Sequence, residues 1–283
     1  MKVVVTGGAG FIGSNLAEEL LKEHKVTVID NLSTGRIENL DQIIDKINFI
    51  EGSITDLDLL KDAFSGSDTV FHEAAMPSVQ RSVDNPIASN EANVEGTLKV
   101  LVAARDCNVR KLVYAASSSA YGDTPTLPKR EEMKPNPKSP YAHIQAGRGV
   151  LLQSLLRGLR PEDRLPEVFQ CLWTEAKSAV SIRGGYTQIY HQVLAHEPPV
   201  IYGDGETTRD FTFVKDVVKA NILAMESPAE GVFNIACGER VSLNELGARL
   251  WISSASSSIR FMKSQGREIS ETLWQISHQP GRN

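Results

Sequence analysis

The chain opens on KVVVTG, an apolar, β-branched run without polar alternation, the pattern of a parallel strand buried on both faces. Glycines at 7, 8, 10 and 13 interrupt it. Phe11, Ile12, Leu16, Leu20 and Leu21 then recur at helical spacing. A second strand, VTVID, ends in Asp30, and a third apolar run, KLVYAAS, ends in Ser117. The segment KREEMKPNPK, residues 129–138, reads as an exposed connection because of its prolines and charges. Strand, glycine turn, helix and strand in succession predict an α/β fold, a doubly wound parallel sheet of the Rossmann type with a smaller mixed C-terminal part. The expected division is a dinucleotide-binding domain over 1–165 and a substrate-binding part over 166–283.

Composition narrows the partners. With 283 residues, 41% of them apolar, the chain can fill a sizeable core. Its net charge of −5 comes without a basic block to track a phosphate backbone, so nucleic acid is not an expected partner. Cys107, Cys171 and Cys237 are widely spaced and match no metal-ligand pattern, so neither a disulfide framework nor a metal site is expected. Met1 leads straight into a strand-like run, and no apolar run approaches the length of a membrane span. A soluble protein of the reducing cytoplasm, with no membrane partner, is the expectation.

The glycine turn carries the first chemistry. A turn without side chains lets backbone approach a pyrophosphate, and the helix that follows aims its free N–H groups at the negative charge. Asp30, at the end of the second strand, can accept both adenosine-ribose hydroxyls and would repel the extra phosphate of NADP. NAD is favoured on that ground, while Arg36 nearby keeps NADP open.

Several segments extend this reading. TGGAGFIG, with Gly7, Gly10 and Gly13 in a G-x-x-G-x-x-G pattern, is followed by DNLSTG, then FHEAA (71–75), NEANVEGT (90–97) and LVYAASSSAYGD (112–123). SPYA (139–142), PPVIYGDGETTRDFTFVKDVV (198–218) and GVFNIACGERVSLNEL (231–246) complete the set. Together they resemble the extended short-chain dehydrogenase/reductase family, and within it the NAD-dependent epimerase/dehydratase group, nearest the nucleotide-sugar epimerases. The resemblance implies NAD held by Gly7, Gly10, Phe11, Ile12, Gly13, Asp30, Asn31, Ser33, Gly35, Ser53, Ile54, Ala74, Ala75 and Asn93. Ser53 stands where the family usually has Asp.

It also implies chemistry. Tyr141 is the candidate base, assisted by Ser117, and a phenol with an ordinary pKa of ~10 needs a nearby cation to work near neutrality. The family supplies that cation as a lysine at the position of Gln145. Arg209 matches an arginine that grips the substrate diphosphate, a task suited to its fork of donors. Taken alone, Ser117 is equally a strand-end hydroxyl, Tyr141 a half-buried aromatic at a helix start, and Arg209 a surface partner of Asp210. Ser118 and Ser119 replace the acidic residues of the family's dehydratases and decarboxylases. The implied activity is epimerisation at C4 of a nucleotide sugar of the UDP-glucose/UDP-galactose type through a transient 4-keto sugar. A nucleotide-sugar dehydratase or decarboxylase, or a catalytically impaired NAD-binding protein, is the alternative. Family members often pair through a helical face, which makes a homodimer the candidate assembly.

Two blocks, 143–192 and 251–283, depart abruptly from the family pattern and read as frameshifted. Dropping one base from the codons of Gln145 (CAR) and Ala146 (GCN) leaves Lys or Arg at 145. The same shift over 168–174 permits YFNVYGP, with the glycine forced by the single codon of Trp173. Over 182–192 it permits YAAVIPKFITR. In the tail, dropping two bases at Met262 and Lys263 forces Glu, and the codons after it permit EPRPGD. Lineage-specific substitution that preserves helices is the competing account, and LLQSLLRGL does carry a helical stripe. A frame-restored chain, expressed beside the literal one, should melt higher, resist protease longer and turn over faster; equality in all three would overturn the frameshift reading.

Overall fold

The computed structural model describes residues 1–77, 79–122, 124–139, 141–147, 167–173, 185–201 and 203–264. Seven parallel strands form the main sheet: β1 (Lys2–Thr6), β2 (Lys25–Asp30), β3 (Asn48–Glu51), β4 (Thr69–His72), β5 (Lys111–Ser117), β6 (Glu167–Trp173) and β8 (Gly231–Ile235). Their order is β3-β2-β1-β4-β5-β6-β8. The chain reverses its direction of winding between β1 and β4, where Thr6 stands opposite His72. Such a switch point opens a crevice at the carboxyl ends of the strands. The doubly wound parallel sheet expected from the sequence is present.

Each face is covered by its own helices. On one, α1 (Phe11–Leu20) packs with α8 (Val214–Glu226), and Leu16, Ala17, Val217, Val218 and Met225 close over Val3, Val5, Phe71 and Val113. On the other, α2 (Leu57–Phe64) and α5 (Gly96–Asp106) bury Leu60, Phe64, Val100 and Leu101 against Val4, Val70 and Leu112. Alternation along β4 makes this possible: Val70 serves one core and Phe71 the other. Shorter helices, α3 (Val79–Asp84) and α4 (Pro86–Asn90), lead through a π-helical turn, Glu91–Glu95, into α5.

The chain divides into two compact units, Met1–Ala176 with Phe211–Gly238, and Lys177–Asp210 with Glu239–Asn283. β6 and β8 carry the first unit's sheet past residue 165. The second unit contains α7 (Gly185–Leu194), packed on α9 (Leu243–Ser264), and a small antiparallel pair, β7 (Thr208–Arg209) with β9 (Val241–Ser242). Of the two blocks that read as frameshifted, residues up to 147, β6, α7 as far as Gln192 and α9 to Ser264 are described and regular. Residues 148–166, 174–184 and 265–283 lie outside the described set. No helix among the described residues is long and apolar enough to cross a membrane.

One buried cation ties the returning segment to the sheet. Lys111, at the start of β5, is 1% exposed, and its Nζ donates to the carbonyls of Ser227 and Ala229 just past α8. A lysine there meets the negative end of the helix dipole and satisfies carbonyls the helix leaves open. Lys111→Met keeps the stem and removes both donors. It should cost about 2–4 kcal/mol in urea unfolding, while Lys22→Met, removing an exposed pair with Glu19, should cost almost nothing.

Candidate functional site

Because all seven strands run the same way, the segments that follow them emerge at one edge. Gly7 to Gly13 follow β1, Asn31 to Gly35 follow β2, Ser53 and Ile54 follow β3, Ala74 and Ala75 follow β4, and Ser117 ends β5. Residues scattered over more than a hundred positions thus share one crevice edge.

Gly7 is the tightest point. Its φ is +73°, and a Cβ there would lie 2.6 Å from both the nitrogen and the Cα of Ala74. Only glycine permits that conformation and that approach together. A side chain at Gly13 would strike the Gly7 carbonyl oxygen. The Gly7 N–H donates to the Ile29 carbonyl at 2.7 Å, and the Gly10 N–H to the Gly7 carbonyl at 3.1 Å. Gly10 caps α1 without a side chain to answer the helix's first N–H groups, whereas Asp56 caps α2 by accepting from Asp58 and Leu59. That difference leaves the start of α1 free to receive an anion. Phe11, 40% exposed, stands at this helix start, and Ile12 lies half-buried against the core.

Asp30 is 8% exposed, and its two oxygens are divided between the turn and the loop beyond it. Oδ2 accepts from the Ala9 N–H at 3.0 Å and Oδ1 from the Leu32 N–H at 2.8 Å. A carboxylate has about four acceptor positions, so two remain for hydroxyl donors. Gly35 lies against it, with both oxygens 2.9 Å from where its Cβ would be. Asn31 and Ser33 are exposed and bonded to each other, the Asn31 Oδ1 accepting from the Ser33 hydroxyl at 2.7 Å. Ser53 is turned locally onto Thr55 at 2.7 Å, and Ile54 is buried beneath Gly96. Ala74 and Ala75 are half-buried after β4.

The amide of Asn93 is committed to the loop after β4. Its Oδ1 accepts from the Met76 N–H at 2.9 Å, and its Nδ2 donates to the Met76 carbonyl and to Ser89. His72 connects the same region to β1: its ring lies 2.8 Å from the Thr6 hydroxyl and 3.0 Å from that of Thr97, which donates to the Asn93 carbonyl. The sequence motifs do not reveal this chain of contacts, because its members lie far apart along the chain. Glu73, between His72 and Ala74, is likewise unmarked by any motif role. Its Oε1 is buried without a hydrogen-bond partner, and burial pushes the carboxyl up to about 8. The signal available in the sequence is an acid directly after the strand-like run TVFH.

Ser117 caps a short helical turn and shares a 2.8 Å hydrogen bond with Ser119, a residue whose sequence signal is only its lack of a carboxyl. Tyr141 begins the helix over 141–147, here α6, and its N–H donates to Ser82 of α3 at 3.1 Å. Gln145, four residues on and therefore on the same side of that helix, is 3% exposed. Arg209 belongs to the second unit, where its guanidinium donates to the Thr208 carbonyl. Arg240 stands near it and donates to the Thr208 hydroxyl at 3.1 Å. Among the described residues no group of three or more His, Cys, Asp or Glu side chains could hold a metal.

Known proteins share this fold. The family model described as GDP-mannose 4,6 dehydratase matches residues 4–278. The UDP-glucose 4-epimerase of Mycolicibacterium smegmatis is 39% identical over 254 residues, 87% of this chain and 80% of that protein. Among solved structures, the UDP-N-acetylglucosamine 4-epimerase of Methanobrevibacter ruminantium, in complex with UDP-N-acetylmuramic acid, aligns with a TM-score of 0.80 at 36% identity, covering 87% of this chain and 80% of its own. The UDP-glucose 4-epimerase of Thermus thermophilus, in complex with NAD, aligns with a TM-score of 0.78 at 31% identity, covering 90% and 84%. With its seven-stranded sheet, its glycine turn and these matches over most of its length, the chain belongs to the NAD-dependent epimerase/dehydratase group of the short-chain dehydrogenase/reductase family.

Proposed function

We propose that the protein binds NAD at the crevice between β1 and β4 and epimerises C4 of a UDP-linked hexose of the glucose/galactose type. The observation that carries the cofactor half is the Asp30 carboxylate, bonded to the Ala9 N–H of the glycine turn and retaining acceptor positions. The turn fits the group: Gly7 and Gly13 leave no side chain over the backbone, and α1 has no side-chain cap. Gly7, Gly10, Phe11, Ile12 and Gly13 would hold the diphosphate, Asp30 with Asn31, Ser33 and Gly35 the adenosine ribose, and Ser53 and Ile54 the adenine side. Ala74 and Ala75 would lie along the dinucleotide, and Asn93 would keep their loop in place through Met76. Bound NAD supplies the acceptor, and then the donor, of the hydride.

The chain's own residues manage the proton. Tyr141 takes it from the sugar hydroxyl at C4 and returns it after the 4-keto sugar has presented its other face. Ser117, at the end of β5, shares that proton path, and Ser119 orients its hydroxyl. Arg209 offers a fork of donors suited to the sugar nucleotide's diphosphate. Ser118 and Ser119, where an eliminating enzyme would carry acids, favour epimerisation over loss of water or of carbon dioxide. Gln145 is the weak point, because an uncharged amide does not stabilise the Tyr141 phenolate. We take Gln145 to be the product of the lesion that shifts the frame across 143–192.

Three measurements follow. Wild type should bind NAD more tightly than NADP by calorimetry, and Asp30→Ala should relax that preference; equal or tighter NADP binding by wild type would sink the cofactor assignment. The chain with Gln145 should interconvert UDP-glucose and UDP-galactose, or their N-acetyl analogues, slowly, and Gln145→Lys should raise kcat by ~10²- to 10⁴-fold. If the Gln145→Lys variant instead releases a 4-keto-6-deoxy sugar, the enzyme is a dehydratase. Tyr141→Phe combined with Gln145→Lys should abolish the gain, and full retention of it would remove Tyr141 from the mechanism.

A further inference from the structure

The start of α6, the helix that carries Tyr141, is answered by hydroxyls from two distant parts of the chain. Ser139 caps it from its own end: Oγ accepts from the Ala142 N–H at 3.1 Å, and the Ser139 carbonyl accepts from the His143 N–H at 2.9 Å. The Tyr141 N–H is a first-turn donor that no carbonyl of its own helix can serve. Its acceptor is Ser82 Oγ of α3, 59 positions earlier, at 3.1 Å.

Ser82 is fully buried, and of the described α3 side chains it alone is; Gln80, Arg81, Val83 and Asp84 are exposed. In α4 the deepest side chain is again a serine, Ser89, which lies 3.3 Å from the Asn93 amide nitrogen, while Ile87 stands in solvent. Apolar contact fixes only proximity, whereas a hydrogen bond fixes a distance and an angle. The bond from Tyr141 to Ser82 is thus a locating contact between α3 and α6.

The near end of the same segment is fixed to the crevice. Gly7 rests on Ala74, and Asn93 holds both the N–H of Met76, at 2.9 Å, and its carbonyl, at 3.2 Å. A short run from Met76 then leads to Ser82. The covalent route from Ser117 to Tyr141 is different: it passes through residues 122–138, most of them exposed, so the chain itself does not set where Tyr141 stands. The tie through Ser82 refers Tyr141 to the loop after β4.

We propose that Ser82 is a positioning residue for Tyr141: its hydroxyl holds the first turn of α6 at a set distance from the loop that lines the dinucleotide crevice. The proposal rests on the reading of Tyr141 as the base and of NAD as the cofactor. Ser82 acts through the backbone of Tyr141 and touches neither sugar nor cofactor. Proton transfer requires heavy atoms within about 2.6–3.2 Å of each other, and a misplacement of about 1 Å costs up to about 10²-fold.

The test uses the full chain with Gln145→Lys as parent, and adds Ser82→Ala, Ser82→Thr or Asn85→Ala. In Ser82→Ala, kcat should fall about 10- to 100-fold, while KM for UDP-glucose and the NAD affinity stay within about twofold. Ser82→Thr keeps the hydroxyl and should restore most of the rate. Asn85→Ala removes the α4 cap, an Oδ1 that accepts from the Ala88 N–H at 3.1 Å; it should lower the melting temperature and leave kcat unchanged. A Ser82→Ala protein with the parent's kcat, a loss expressed in KM alone, or an equal fall of kcat in Asn85→Ala would overturn the proposal. A second measurement needs no turnover: in fluorotyrosine-labelled protein, the fluorine signal of Tyr141, identified by its absence in Tyr141→Phe, should move in Ser82→Ala and stay in place in Ser82→Thr. An unmoved signal in Ser82→Ala overturns the positioning role. A signal that moves in a parent without epimerase activity counts against the proposed function and leaves the positioning role standing. Should Ser82→Ala not fold, Ser82→Cys, which fills the site with a weak acceptor, takes its place in both measurements with the same expected signs.

Discussion

The rest of the site depends on how closely two backbones approach at the switch point of the sheet. Gly7, with φ +73°, rests on Ala74 with no room for a single extra carbon. That contact fixes the turn after β1 against the loop after β4, and each is then held from its far side. Asp30 and the Ile29 carbonyl hold the turn, while Asn93, through Met76, holds the loop. The crevice is therefore defined by backbone, and its shape does not wait on side-chain rotamers.

Around this contact the molecule divides its polar groups sharply. His72 lies in a closed set of hydroxyls, with Thr6 on one ring nitrogen and Thr97 on the other, so a buried imidazole costs little. Glu73, the next residue, has no such company. Neighbours on opposite faces of one strand are thus satisfied to opposite degrees.

Much of this is legible in the residues. The β-branched run before Gly7, the helical spacing from Phe11 and the Asp30 terminus predict β1, α1, β2 and the open turn, because local pattern and tertiary role coincide there. What local pattern does not show is what depends on pairing across distance. β7 and β9 are two residues each and carry no period of their own. The bond from Tyr141 to Ser82 and the link from His72 to Thr97 join positions that no local pattern connects. The 143–192 block illustrates a different limit: β6 and α7 form there from letters that resemble the family only after a shift of frame, because apolar runs and helical stripes arise easily from many sequences.

The return of Phe211–Gly238 to the first unit sets an order of events during synthesis. Until α8 has emerged, the face of the sheet carrying Phe71 and Val113 lacks Val217, Val218 and Met225. A nascent chain of the first 176 residues would therefore expose an apolar strip for as long as the ribosome takes to add the next fifty or so. The strip closes when Lys111 has caught the carbonyls past the end of α8.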